Sequence, residues 1–311
     1  VKKRQNQGVK AYYTDHFVLP LPPGHRFPME KYRLLRDLVA TYSDIELIEP
    51  AAATNQDLLR AHDVDYIEAV TQGKLSEAQV REIGFPWTEA MVERSRRSAG
   101  ATIAACLSAL KEGVSVNLAG GTHHAYADKG SGFCVFNDAA VAARYVQALQ
   151  PTRVAVIDLD VHQGNGTAAI LGRDSSCFTL SLHGEKNFPF RKEDSHLDIG
   201  LPDGCGDDEY LKILQQALIE LERRFTPELI IYLAGADPHE GDRLGRLKLT
   251  MHGMAERDRL VLGFARELRC PIAIAMAGGY GRNIQTTVDV HHQTIQLALQ
   301  YHQQINPKVS Q

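Results

Sequence analysis

The stretch VAVIDLDVHQGNGTAAI, residues 154–170, begins as a continuous apolar run and ends in polar residues and glycines. An apolar run without alternation is typical of a strand covered on both faces of a parallel sheet. The run leads into Asp158, Asp160 and His162, which occupy every second position. Because alternate residues of an extended segment point to one side, Asp160 and His162 share a face. Burying such groups costs free energy unless they are paired or bind a metal, so the stretch predicts a functional strand end.

Other short apolar runs alternate with longer helical patterns along the whole chain. The further strand candidates are IELI (45–48), VSVNLA (114–119), CFTLSL (177–182), LIIYLA (229–234) and IAIAMA (272–277). The helical patterns cover residues 88–112, 207–225, 251–268 and 284–304. This alternation predicts an α/β fold with a doubly wound, mainly parallel sheet and helices on both faces. No linker divides the chain, so we expect a single domain over residues 1–311.

The composition indicates an ordinary soluble globular protein. The chain is 44% hydrophobic and 23% charged, with a formal net charge of −4, which does not favour a nucleic-acid or membrane-surface partner. Its five cysteines form no CxxC pair, which argues against a disulfide framework and a thiolate zinc site. No apolar run is long enough for a membrane span and no signal peptide is visible, so we expect a cytoplasmic protein.

Chemical groups follow four of the predicted strands directly, at the sheet edge where ligands bind in open parallel sheets. Asp160, His162 and Asp237 offer the nitrogen and oxygen ligands of a catalytic zinc site with an open fourth position. A zinc ion would compensate the buried charge, activate water and polarise a carbonyl. The spacing D-x-D-x-H alone fits solvated loop residues equally well. The loop that carries Asp237 and the adjacent histidines His123 and His124 favour the metal.

The histidine pair and one tyrosine are the remaining candidates for catalysis. His123 and His124 would supply a general base and an electrostatic partner beside the metal. Tyr280, in the segment AGGYG, either packs only or donates its hydroxyl to a developing oxyanion. Other histidines lack a convergent context and are interpreted as structural or surface residues: His25, His62, His183, His239, His252, His291 and His292.

Five segments together resemble the histone deacetylase superfamily, which has an arginase-like α/β fold. They are AGGTHHAYADKGSGFCVFND, VIDLDVHQGNG, LSLHGEKNFPF, LAGADPHEGDRLG and MAGGYGRN, in the family's order. The resemblance extends from about residue 10 to residue 304, and the HQGNG wording is similar to class IV and bacterial deacetylase-like proteins.

The resemblance implies a role for each matching residue. It implies zinc ligands at Asp160, His162 and Asp237, a catalytic pair at His123 and His124, and a carbonyl-polarising Tyr280. It implies that Asp158 supports His123 and that Asn165 supports His124. It implies substrate contacts at Gly132, Phe133, Phe188 and Gly278, the first three in a tunnel around the acyl-lysine stem. It implies a potassium site formed by Asp158, Asp160, His162, Ser181 and Leu182.

One position departs from many family members, which carry Asp where this chain has Asn165. A neutral amide lacks the charge that would keep a neighbouring imidazole protonated, so we expect a neutral His124 that is available as a base.

The expected activity is zinc-dependent hydrolysis of the amide of acetyl-lysine in a protein or peptide. A small-molecule amidohydrolase, such as an acetylpolyamine deacetylase, is the alternative, and Glu185 lies in a loop suited to an acidic gate for a polycation. A non-catalytic acyl-lysine binding protein is a further alternative. The expected partners are therefore acylated lysine or another acylated amine, with no nucleic acid and no membrane.

Overall fold

The computed structural model describes residues 8–307, in which eight parallel strands form one sheet. The strands are β1 (Val9–Tyr12), β2 (Ile45–Ile48), β3 (Val114–Asn117), β4 (Val154–Asp158), β5 (Cys177–Gly184), β6 (Leu197–Leu201), β7 (Leu229–Leu233) and β8 (Ile272–Ala275). Their spatial order is β2-β1-β3-β8-β7-β4-β5-β6, so the last strand of the sequence lies in the middle of the sheet, between β3 and β7.

Helices connect the strands in the described part of the chain. They are α1 (Glu30–Val39), α2 (Asn55–Leu58), α3 (Val64–Thr71), α4 (Glu77–Ile83), α5 (Glu89–Glu112), α6 (Asp138–Leu149), α7 (Asn165–Leu171), α8 (Asp207–Arg224), α9 (Met251–Glu267) and α10 (Ile284–Ile305). No helix among residues 8–307 is both long enough and apolar enough to cross a membrane. The single domain predicted over 1–311 stays a prediction, because its two ends lie outside the described residues.

The predicted parallel α/β sheet is confirmed, and each predicted strand and helix is present with ends shifted by at most two residues. Helix α5 illustrates why the ends of the helices could be predicted from the sequence. Thr88 accepts a hydrogen bond from the Met91 N–H at its start, and Gly113 ends it with a φ of +91°, a conformation that favours glycine.

The sheet is buried on both faces, which explains the continuous apolar runs. Along β4, Ala155 and Ile157 pack into one hydrophobic cluster, whereas Val154 and Val156 pack into the other. Alternate side chains of a strand point to opposite faces, so a strand between two cores has no solvent-facing position for a polar residue. In the central strands β3, β4, β5, β7 and β8 the acidic and basic side chains are therefore confined to the carboxyl ends, where the candidate site lies.

Candidate active site

The three predicted metal ligands lie together beyond the carboxyl ends of β4 and β7. One ligand atom from each of Asp160, His162 and Asp237 lies within 4.8 Å of the others, and all three side chains are buried. His162 Nδ1 is 2.9 Å from Asp160 Oδ1 and 3.3 Å from Asp237 Oδ2. Asp237 Oδ2 is buried without a hydrogen bond of acceptable geometry in the described residues. An orphaned carboxylate oxygen facing an imidazole and a second carboxylate fits a divalent cation such as zinc.

The remaining oxygens of these carboxylates are held by backbone N–H groups. Val161 donates to Asp237 Oδ1 at 2.8 Å, and Gly278 donates to Asp160 Oδ2 at 2.9 Å. A Cβ atom at Gly278 would lie 2.2 Å from Asp237 Oδ2 and 2.4 Å from Asp160 Oδ2. Only glycine therefore allows the backbone of this loop to approach both carboxylates. The predicted contact of Gly278 with substrate stays a prediction, but its contact with the ligands is direct.

The three ligand side chains shift one another's pKa values. Burial alone would lower the pKa of His162, but the hydrogen bonds and charges of Asp160 and Asp237 outweigh it and raise that pKa to about 10. Burial and the nearby charge of Asp160 raise the pKa of Asp237 to about 7. The site thus concentrates negative charge that requires a cation, whether a proton or a metal.

The adjacent histidines reach the same pocket from the loop after β3. His123 Nδ1 lies 2.6 Å from Asp158 Oδ2, as expected for a supported imidazole. Burial opposes protonation of His123, but the charges of Asp158 and Asp160 prevail and raise its pKa to about 9. His123 is therefore a cation held in place by a buried carboxylate.

His124 has the opposite electrostatic environment. Its Nδ1 lies 2.7 Å from Asn165 Oδ1, and the Asn165 amide donates to the Tyr126 hydroxyl at 2.9 Å. Burial and the charges of His123 and His162 lower the pKa of His124 well below its ordinary value. This direction agrees with the neutral imidazole expected from the amide at Asn165.

Tyr280 lines the pocket and is held through its backbone and its surroundings. Its N–H donates to Asp242 Oδ2 at 2.6 Å, and burial raises the pKa of its hydroxyl well above the ordinary value. Lys31, from α1, is buried and donates to the carbonyls of Ala277 and Gly279 on either side of Gly278. Lys31 Nζ also lies 5.8 Å from the centroid of the Tyr280 ring. The loop that carries the tyrosine is thus fixed by two charged side chains.

Aromatic side chains form the walls of the pocket, which has a volume of about 410 Å³. The Phe188 ring stands edge-on to His124 with centroids 4.9 Å apart, and the Phe133 and Tyr280 centroids are 6.1 Å apart. A Cβ at Gly132, where φ is +53°, would lie 2.8 Å from His124 Cδ2. The three predicted tunnel residues therefore lie in one cavity with the histidine pair.

The residues of the predicted potassium site are also brought close in the sheet. Asp158 on β4 and Ser181 on β5 are register partners, and Leu182 follows on β5. Asp158 Oδ1 accepts the Asp160 N–H, and the Ser181 hydroxyl lies 2.9 Å from His183 Nδ1. These side chains already have protein partners, and the cation stays a prediction.

The sequence interpretation missed three charged residues that support the site. Lys31 and Asp242 act on the tyrosine loop as described above. Arg257, on α9, is fully buried and donates to the Gly235 carbonyl at 2.6 Å, with the Leu159 carbonyl at 3.5 Å. Asp242 lies in one of the recognised segments, but Lys31 and Arg257 come from helices in which no local motif marks them.

The position of Glu185 does not match the proposed acidic gate. Glu185 does not line the cavity, and its Cβ lies 3.3 Å from where a Cβ at Gly200 would stand, against β6. Of the histidines interpreted as structural or surface residues, none lines the cavity; His62, for example, is buried between the Tyr126 carbonyl and the Asn137 N–H.

Comparisons with known proteins agree with this geometry. The sequence pattern of the histone deacetylase domain matches residues 25–295. An uncharacterized protein of Picosynechococcus is 43% identical over 288 residues, which is 91% of this chain and 96% of that protein. Histone deacetylase 2 of Arabidopsis thaliana is 34% identical over 272 residues, 82% of this chain and 70% of that protein.

A solved structure of a histone deacetylase homologue from Aquifex aeolicus has a TM-score of 0.81 and 26% identity, covering 94% of this chain and 84% of that one. The recognised segments supply the three ligands, the histidine pair and Tyr280 that meet in the cavity, and the family pattern covers all five segments. This chain belongs to the histone deacetylase family.

Proposed function

We propose that the protein is a zinc-dependent deacylase that hydrolyses the amide of acetyl-lysine in a protein or peptide. The observation that carries the proposal is the buried Asp160–His162–Asp237 cluster, with its orphaned carboxylate oxygen, inside an aromatic cavity that also contains Tyr280 and the histidine pair. A zinc ion held by these three residues would supply water activation and carbonyl polarisation.

The histidines have distinct proton-transfer roles. His124 Nδ1 carries the proton that it shares with Asn165 Oδ1, which leaves Nε2 as a free acceptor. A neutral imidazole in the cavity accepts the proton of the attacking water and later returns it to the leaving amine. His123, held by Asp158, stays positively charged and stabilises negative charge that develops during attack.

Tyr280 and the aromatic walls act on the substrate. Because burial keeps the Tyr280 phenol protonated, its O–H donates to the carbonyl oxygen as negative charge develops there. Phe133 and Phe188 offer apolar contact to the methylene stem of an acylated lysine, whereas a free ammonium would lose hydration in the same place. The walls thereby favour substrate over product.

The test is hydrolysis of acetyl-lysine peptides by protein loaded with zinc, measured together with metal content. We expect one bound zinc, loss of hydrolysis with a chelator, and recovery when zinc is restored. Asp237→Ala should abolish both zinc binding and hydrolysis, whereas Asp37→Ala, at an exposed ion pair outside the cavity, should change neither. If protein incubated with zinc held no metal at the three ligands, the proposal would be refuted.

We propose a cytoplasmic location and a structural potassium ion as well. The location follows from the cysteines, all five of which are free and buried. The potassium ion follows from the carboxylate, hydroxyl and backbone oxygens near Asp158, Ser181 and Leu182. Added potassium should raise the melting temperature of the protein, whereas the same concentration of sodium should not.

A further inference from the structure

The mouth of the cavity has a charge opposite to that of the whole chain. Apart from the metal ligands and His123, the charged side chains that line it in the described residues are Arg26, Lys31, Lys186 and Arg246, all of them cationic. The chain as a whole has 38 acidic and 34 basic residues. If charged residues were distributed evenly, about half of those that line the cavity would be acidic. The described lining has no carboxylate besides the two metal ligands.

Two of these cations are available to a substrate. Arg26 and Lys186 are exposed, and neither forms an ion pair within the part of the chain that the structure describes. Arg246 is paired with Asp203 at 3.1 Å, and Lys31 is buried against backbone carbonyls deeper in the cavity. The outer rim thus presents two unpaired positive charges.

Nearby acidic residues are paired or lie on other surfaces. Glu82, whose carbonyl accepts the Gly132 N–H, is paired with Lys129 at 2.8 Å. Glu185 lies outside the cavity, near Lys192, which donates to the Asn187 carbonyl at 2.7 Å and whose pKa is lowered by burial against the opposing charge of Glu185. Among the described residues that line the cavity, no acidic gate for a polycation is therefore present.

We propose that the rim selects acylated amines that carry a carboxylate close to the amide, above all acyl-lysine flanked by acidic residues in a peptide. This inference rests on the proposed deacylase function and specifies its substrate class. Arg26 and Lys186 attract the carboxylate, and Phe190, which is 88% exposed beside Phe188, offers apolar contact to the peptide. The same charges disfavour acetylpolyamines and lysine-rich segments.

The test compares three acetyl-lysine peptides that differ only in their two flanking residues, which are Glu, Gln or Lys. Free Nε-acetyl-lysine and its α-amide form a second arm, which separates side-chain carboxylates from the α-carboxylate as the recognised group. Both kcat/KM and binding, by fluorescence polarisation of labelled peptides, are measured. The usual strength of exposed ion pairs predicts a preference of about 1.4- to fivefold per added carboxylate.

Salt and charge reversal make the test specific. Both kcat/KM and affinity should be highest for the Glu peptide and lowest for the Lys peptide. These differences should be large at about 10 mM salt and vanish at about 1 M, where the screening length is about 3 Å. Lys186→Glu or Arg26→Glu alone should abolish the preference, and the double variant should reverse it. Lys212 is exposed on α8 and does not line the cavity. Lys212→Glu changes the net charge by the same amount and should leave the order of the three peptides unchanged.

Each outcome separates the two proposals. Hydrolysis of the three peptides at equal rates, with equal binding, would overturn the charge selection and leave the deacylase function intact. Tighter binding of the Glu peptide without hydrolysis of any peptide would support the selection and refute the function. A preference for the Lys peptide, or an order that Lys186→Glu and Arg26→Glu both leave unchanged, would overturn the selection.

Discussion

At Gly278 a single hydrogen atom occupies the space between two buried carboxylates. Its N–H donates to Asp160, and any side chain would collide with both Asp160 and Asp237. The sequence predicted these carboxylates because they follow the ends of continuous apolar runs that are buried on both faces. It could not predict the support from Lys31 and Asp242, whose charges reach the tyrosine loop only through the tertiary fold.

Gly278→Ala should therefore weaken metal binding. The new Cβ displaces both carboxylates, and we expect zinc affinity to fall by about 10- to 100-fold, as for other changes next to metal ligands. Competition with a fluorescent chelator measures this affinity directly. Gly263→Ala is the matched control, because no atom lies within 4 Å of the added Cβ on α9. Equal zinc affinity in the two variants would contradict the crowding argument.

Tyr280→Phe should separate catalysis from metal binding. The phenol is not among the three ligand residues, so zinc affinity should stay at the wild-type value. Loss of one donor to a developing oxyanion typically lowers kcat by about 10²–10³-fold, and we expect a decrease of this order. Steady-state kinetics on an acetyl-lysine peptide give the answer, and an unchanged kcat would remove Tyr280 from the mechanism.

At the scale of elements, helix α9 stabilises the backbone that presents the ligands. Arg257 Nη1 contacts the carbonyls at the ends of β4 and β7, and Nη2 lies 2.8 Å from Asp258 Oδ1. Asp258 also accepts hydrogen bonds from the hydroxyls of Tyr232 and Thr294, both at 2.6 Å. The charged pair thus joins α9 and α10 to the sheet behind the metal site.

Arg257→Met should destabilise the protein strongly. Removing one partner of a buried pair leaves an uncompensated charge, here on Asp258, and typically costs about 3–5 kcal/mol. Arg259→Met is the control on the same helix; its exposed pair with Glu256 should contribute less than about 1 kcal/mol. Urea unfolding gives both free energies of unfolding, and similar values for the two variants would show that the buried pair adds no stability.

The elements that the sequence did not reveal have physical reasons for being missed. Strand β1 has only four residues and includes Lys10, which pairs with Glu112. Strand β6 contains Asp198 and Gly200 and alternates between partly buried and exposed positions up to its buried last residue, as expected for an edge strand with little β-propensity. The central strands were predictable because burial on both faces favours an apolar residue at most positions.

At the scale of the whole molecule, buried neutral histidines make stability depend on pH. Burial lowers the pKa of His62 to about 4, although its hydrogen bond to the Tyr126 carbonyl opposes the shift. The unfolded chain, with an ordinary histidine pKa of about 6.5, binds a proton first as the pH falls. The stabilisation is therefore complete above the unfolded pKa and is lost progressively as the pH falls from about 6.5 to about 4.

His62→Gln should reduce this pH dependence. The amide can replace both hydrogen bonds of the imidazole, to the Tyr126 carbonyl and from the Asn137 N–H, without titrating. Between pH 7 and about pH 5, wild type should lose about 2 kcal/mol more free energy of unfolding than the variant. Urea unfolding at the two pH values measures the difference, and parallel losses would mean that His62 is not buried in its neutral form.

The central position of β8 has a consequence for folding during translation. Until residue 272 has emerged, the early strands β2-β1-β3 and the later strands β7-β4-β5-β6 have no strand to join them. A nascent chain therefore carries two half-sheets, each with an open hydrogen-bonding edge that other chains can pair with. Premature termination before β8 should yield aggregates, and chaperones would be needed until β8 has been synthesised.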